Sequence, residues 1–347
     1  MRRLLLHIGH GKTGSTWIQS SLRSSVERLK ACGIDYPLRG DDLDDPLRMT
    51  SGNGFGLLQS PALLRSALAE TGPESDACFS SEFLFGDLTD RDSLDVLRRA
   101  ADGFDEIRLL LFTRDPVAHA SSLWQQQVKR RALTSPLDDA FLATYRVPSK
   151  VLALLDAVDQ APEVSLEIHN YSQVRHRLLE VVAEFLGVAS DVLVTPPASR
   201  VNRSLTSSET AFQLRLNDAI GLRAEAVANA LCERLPDLVP DAVRPDRACQ
   251  ERLLERLRGD MESVNARVPA RARYRFDDDD GPDDVGTLHC FDEQQLGVIA
   301  EAIGALLPDG SHTVQDSEVH EIPSVVSTRT GWRRTWGIRS RSGRSPR

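Results

Sequence analysis

Four residue types able to bind an anion fall together near the start of the chain, in Gly11-Lys12-Thr13-Gly14-Ser15-Thr16, with Trp17 following. The glycines let the backbone turn and aim N–H groups inward, Lys12 adds a point charge, and the hydroxyls of Thr13, Ser15 and Thr16 add short-range donors. Such a set is built for a phosphate-like group. A second cation and hydroxyl, Arg114 and Ser122, stand eight positions apart later in the chain, and a lone carboxylate, Glu82, closes the triplet Ser80-Ser81-Glu82. Anion binding by the first two groups and proton transfer at the third is the chemistry these residues offer.

The elements that must carry them follow from the apolar spacing. Leu4, Leu5, Leu6 and Ile8 form a short run that breaks at Gly9. Ile18, Leu22, Val26 and Leu29 then recur at helical spacing until Gly33, which gives strand, anion loop, helix, with the helix's positive end at the loop. Ala77 to Ser81 reads as a buried strand ending at Glu82. Ile107 to Phe112 is apolar on both faces except at Arg108, as a central parallel strand should be, and delivers Thr113 and Arg114 at its carboxyl end. Asp115 as N-cap and Pro116 as first residue open a helix to about Arg131, placing Ser122 roughly 9 Å along its axis, so that both Arg114 and Ser122 are expected to reach one phosphate. Further helices are expected at Leu57 to Leu68, Arg91 to Ala101 and Leu178 to Leu186, the last ending at Gly187. The alternating stretch Glu163 to His169 reads as a strand nearer the sheet edge, with Tyr171 after it, and Asp35 to Asn53 as a long surface excursion able to cover an acceptor site. The predicted fold is therefore α/β, a mostly parallel sheet flanked by helices, with His10 to Trp17, Glu82, Arg114 and Tyr171 at the carboxyl edge where such sheets bind ligands.

Gly11-Lys12-Thr13 matches the end of the Walker A pattern, but the glycine required five residues earlier is Leu6. The loop resembles instead the 5′-phosphosulfate loop P-K-[ST]-G-[ST]-T-W of sulfotransferases that use 3′-phosphoadenylyl sulfate (PAPS), in register and with Gly11 in place of proline. TRDPVAHASS, Thr113 through Ser122, resembles that family's second signature, an arginine at a strand end and a serine eight positions later. The resemblance implies a P-loop-like sulfotransferase fold and transfer of a sulfuryl group from PAPS to an acceptor hydroxyl or amine, releasing 3′,5′-adenosine bisphosphate (PAP). It implies that Gly11, Thr13 and Gly14 are cofactor-binding loop residues, Lys12 holds the leaving group, Ser15 and Thr16 bind the 5′-phosphate with backbone N–H groups, Trp17 lies against adenine, and Arg114 and Ser122 bind the 3′-phosphate. Tyr171 joins this cofactor-binding set at the rim, and no metal is expected. The late Arg-Lys-Gly element of cytosolic members is missing, leaving Arg203 either to substitute for it or to be ordinary surface charge. Glu82 stands where those members carry the histidine of K-T-H, and Ser80 where they carry the lysine, so Glu82 is either the base or a carboxylate that only orients acceptor or lysine. Asp35, Asp41, Asp42 and His119 are reserve bases. A P-loop kinase or ATPase, and a sulfotransferase-like scaffold that binds without catalysis, are the competing classes.

The 347 residues suffice for a full core, and a net charge of −9 argues against general nucleic-acid binding. Cys32, Cys78, Cys232, Cys249 and Cys290 form no C-x-x-C pair, so neither a zinc site nor a disulfide framework is indicated. The apolar stretch in MRRLLLHIG is too short for a signal peptide and no run long enough for a membrane span occurs, so a soluble cytoplasmic protein is expected. Residues 1–204 are expected to form the PAPS-binding core, with 205–310 a helical extension completing the same domain. Thr206 and Glu209 there form a capping box, and Leu253 to Val264 and Glu293 to Leu306 read as helices. The acidic run Asp277 to Asp280 reads as a solvated linker, and 311–347 as a basic tail expected to be disordered, open to an anionic partner or membrane surface. Gln125, Gln126, Lys129 and Arg130 are candidate contacts for a small-molecule or carbohydrate acceptor, whose identity is not readable; nor is the oligomeric state, since no heptad run appears.

Overall fold

Side chains alternate across the first strand, and that alternation sets the layers. In the computed structural model, which describes residues 1–39, 51–196, 203–276 and 290–307, Leu4 and Leu6 of β1 (Arg3–His7) enter one core cluster and Leu5 the other. The same division runs through β3 (Asp76–Ser80), where Ala77 and Phe79 oppose Cys78. In β4 (Glu106–Thr113) Leu109 and Leu111 oppose Leu110 and Phe112. Two faces buried by helices require near-continuous apolar strands, which is what these are. With the two-residue β2 (Ile34–Asp35) and with β5 (Val164–Asn170) they form one five-stranded, all-parallel sheet ordered β2-β3-β1-β4-β5. The strand expected nearer the edge over Glu163 to His169 is found there as β5, one residue later at each end.

One face is covered by α1 (Ser15–Ser24), α2 (Val26–Ala31) and α10 (Leu178–Leu186). The other packs against α3 (Pro61–Ala69), α4 (Phe83–Leu88), α5 (Arg91–Ala100) and α6 (Pro116–Arg130), and against the neighbouring helices α8 (Val147–Asp159) and α13 (Arg247–Arg267), with the single turn α7 (Asp139–Leu142) beside them. A third, smaller cluster joins α11 (Ser207–Ile220), α12 (Glu225–Arg234) and α14 (Glu293–Gly304) around Leu205, Val227, Leu231 and Ile299. The short helix α9 (Tyr171–Val174) follows β5. Met1–Leu306 forms one compact unit.

Several local expectations are corrected. The first helix is not continuous to Gly33: it breaks at Ser25, whose hydroxyl donates to the Ser21 carbonyl at 2.7 Å and accepts from the Val194 N–H at 2.8 Å. Asp35 does not open the surface excursion but ends the edge strand β2. The stretch from Leu57 is a 3₁₀ turn to Gln59, and α3 starts afresh behind the Ser60 cap and Pro61. The Thr206–Glu209 capping box is present. Among the described residues no helix is long and apolar enough to cross a membrane. Asp41, Asp42, the run 277–280 and the tail 311–347 lie outside the described residues.

Candidate functional site

Three neighbouring strands deliver the site. β1 ends at His7, β3 at Ser80 and β4 at Thr113, and their outgoing turns carry Gly9 to Ser15, Ser81-Glu82 and Arg114. In the first turn Gly14 adopts φ 84° and caps α1 without a side-chain bond. It also sits where a Cβ would come within 2.6 Å of Leu178 Cδ2 and 3.1 Å of Tyr171 Cε2, so the position needs glycine on both counts. Lys12 takes φ 67°, a left-handed conformation a side chain rarely adopts. Thr13 is fully buried, its hydroxyl donating to the His10 carbonyl at 2.5 Å, so it shapes the loop rather than facing a ligand. The first turn of α1 holds no acidic residue, leaving its N–H groups and dipole uncompensated.

Lys12 and Thr16 face a cleft whose opposite wall is one side of α6, Ser122, Gln125, Gln126, Lys129 and Arg130, and the segment Arg203 to Leu205. Four cationic side chains therefore border a single opening. Burial, then the nearby Arg114, Lys129 and Arg130, push the Lys12 ammonium down to about 8, against the opposing pull of Glu82. Glu82 in turn is raised by its own burial and lowered by Lys12. Its Oε2 lies 3.4 Å from where a Gly11 Cβ would stand, so carboxylate and loop are in contact range. Burial also lowers Lys129.

The other expected site residues are placed differently. Arg114 is turned behind the loop, donating from Nη1 to the Lys12 carbonyl at 3.1 Å and lying over the Tyr171 ring at 5.7 Å. It does not line the cleft that Ser122 lines. The Ser15 hydroxyl is buried without a partner against Gly9 and His7, leaving only its backbone at the helix end. Trp17 packs on the second core cluster and lines a separate groove with Arg175, His176, Arg177 and Leu193. Arg203 borders the cleft, yet all five of its N–H donors are used: two bonds to Glu209 at 2.7 and 2.8 Å, and three to the carbonyls of Ser204, Leu231 and Leu235. With the pair's side chains 5% and 0% exposed, Arg203 is a wall of the cleft held by a buried ion pair. Asp115 is the N-cap residue of α6, as expected, but its side chain makes no cap bond; its Oδ1 accepts from Asn170 Nδ2 and from the Arg275 N–H, tying β5 and the segment after α13 to the turn.

Of the reserve bases, Asp35 accepts from the Gly72 N–H at the sheet edge, and His119 has both ring nitrogens engaged, with the Gly11 carbonyl and the Tyr145 hydroxyl. Asp35 also pairs with Ala77, short of the carboxyl end of β3, and neither residue lines the cleft. Sequence reasoning missed the packing of His10 against His119, ring centroids 4.2 Å apart, directly under the loop. It also missed the pairing of Ser80 Oγ with His7 Nδ1 at 2.7 Å. Only the clustering of His7, His10 and His119 with the two signatures could have signalled either. Among the described residues no group of three or more His, Cys, Asp or Glu is arranged to hold a metal. Neither a protein-family model nor a curated protein matches the chain.

Proposed function

We propose that the protein is a PAPS-dependent sulfotransferase of P-loop-like fold, moving a sulfuryl group to an acceptor hydroxyl or amine. The observation that carries this reading is the convergence of Lys12 and Thr16 from the first strand-to-helix turn with Ser122 from α6 on one cleft, beside the carboxylate of Glu82. The surrounding residues fit a ligand with several negative charges: the lowered Lys12 is crowded by Arg114, Lys129 and Arg130, and the uncapped start of α1 adds aligned N–H groups. PAPS, when bound, supplies the activated sulfuryl group and the phosphate that leaves. Lys12 and the first-turn N–H groups hold negative charge at the loop, and the Thr16 hydroxyl donates beside them. Ser122 and the α6 face carrying Gln126 and Lys129 hold the far end of the nucleotide. Glu82 takes the acceptor's proton at its carboxylate, with burial raising its basicity. As in phosphoryl transfer, positioning and charge neutralisation are the rest of the protein's contribution.

Thermal unfolding with PAP, ADP and AMP tests the reading. PAP at a hundred times its dissociation constant stabilises by about 2.7 kcal/mol, and ADP and AMP at the same concentration are expected to stabilise less. Preference for ADP or ATP would assign the cleft to a kinase or ATPase, and PAP binding without turnover of PAPS would assign it to a scaffold.

Binding is also expected to carry a proton. Lys12 is half-deprotonated near pH 8 in the free protein, and an anion beside it restores the ammonium. PAP affinity should therefore fall as pH rises above about 8, with uptake approaching one proton per ligand at about pH 9. Calorimetry in buffers of different ionisation enthalpy measures this, and Lys12→Met should abolish it.

A further inference from the structure

Two successive carbonyls of the anion loop are held from behind by side chains of one turn and its helix. Arg114 Nη1 donates to the Lys12 carbonyl at 3.1 Å, and His119 Nε2 lies 2.7 Å from the Gly11 carbonyl. The second ring nitrogen of His119, Nδ1, lies 3.0 Å from the Tyr145 hydroxyl. A carbonyl can only accept, so Nε2 carries the hydrogen; the remaining lone pair is on Nδ1, and Tyr145 donates to it. This tautomer follows from the partners rather than from an observed hydrogen. Burial keeps the ring neutral, holding His119 well below its ordinary range. The His10 ring lies against it, with its Nδ1 3.4 Å from the same Gly11 oxygen.

The geometry has a direct consequence for the loop. No peptide bond among the described residues is cis, so the Gly11 carbonyl and the Lys12 N–H point in opposite directions. Fixing the carbonyl on His119 therefore fixes the Lys12 N–H on the loop's other side. Lys12 itself holds φ 67°, a conformation that persists only where its surroundings impose it.

We propose that His119 is a positioning residue for the anion loop: by donating Nε2–H to the Gly11 carbonyl, in the tautomer that this carbonyl requires, it holds the Lys12 peptide in its anion-binding orientation before any ligand arrives. His119 need not touch the ligand. The anion used to read the effect, PAP, rests on the function proposed above, while the tautomer does not.

The test uses the full chain and three variants. His119→Phe keeps a ring and removes the donor, and is expected to weaken PAP binding about tenfold, the equivalent of one lost hydrogen bond and some preorganisation. His119→Gln can place an amide N–H near the Nε2 position and is expected to stay within about threefold of wild type. In ¹⁵N-histidine spectra of the wild type, His119 is expected as a single Nε2–H tautomer, which Tyr145→Phe is expected to keep, since the Gly11 carbonyl alone requires the hydrogen on Nε2. Wild-type PAP affinity in His119→Phe, equal losses in the Phe and Gln variants, or an Nδ1–H tautomer in the wild type would each overturn the proposal. Should the Phe variant not fold, the Gln variant and the tautomer decide. Should wild type bind no PAP, the sulfotransferase reading fails and the tautomer alone decides the role of His119.

Discussion

Lys12→Met is expected to lower sulfuryl transfer by about 10³-fold or more, while the free protein unfolds at the same or a higher temperature than wild type. The loss follows from removing the only ammonium that belongs to the loop itself, where the proposed reaction would gather charge on the departing phosphate. The gain follows first from relieving the desolvation of a buried cation and then from removing its repulsion by Arg114, Lys129 and Arg130. The sign can be checked with pH. A lysine whose folded value is about 8 against an ordinary 10.5 binds fewer protons folded than unfolded between those values, so wild-type stability should rise with pH across that window. The Met variant lacks that rise. Single-turnover rates and urea titrations at about pH 7 and 10 read both halves, and a variant within tenfold of wild-type turnover would remove Lys12 from the chemistry.

Glu82→Gln is expected to cut turnover about 10²-fold or more with PAP affinity unchanged, because the amide keeps the shape and loses the basic oxygen. Wild-type turnover should fall as pH drops through the raised Glu82 value, and the variant should lack that acidic limb. The competing role, orienting Lys12, has a different signature. Glu82 holds the Lys12 value up, so without it the ammonium would titrate lower and PAP binding would weaken at neutral pH. A pH profile and a binding isotherm on the same variant separate the two, and near-normal turnover would exclude both.

The sheet was legible wherever a strand is buried on both faces. Leu4 to Ile8 and Ile107 to Phe112 announce themselves as apolar runs, and their following turns announce themselves through Gly9, Asp115 and Pro116. β2 did not, since two residues carry no period. The break at Ser25 depends on Val194, far along the chain, and α8 on packing against α13. The same limit divides the site. Residue types and spacing picked out the loop and Ser122, but the direction a side chain takes at a turn is set by neighbours remote in sequence. Arg114 turns toward the Lys12 carbonyl across 102 positions and His119 toward Gly11 across 108. The five donors of Arg203 are consumed by groups as distant as Leu235. Nothing in a linear pattern distinguishes such an arginine from one left open for a phosphate.

The cleft has walls of different ancestry within the fold. One is α6, bound to the sheet; the other is the segment Arg203 to Leu205, held by Glu209 and by the third core cluster. α11 is stitched back to the end of α6 by Asn217, whose amide reaches the carbonyls of Val128 and Leu133 at 2.8 Å each. The aperture is therefore inherited from how the small helical layer seats on the larger one. Substitutions in that seam can retune the grip on a ligand of the cleft without meeting it, and a tightly gripped ligand will in return resist separation of the two layers.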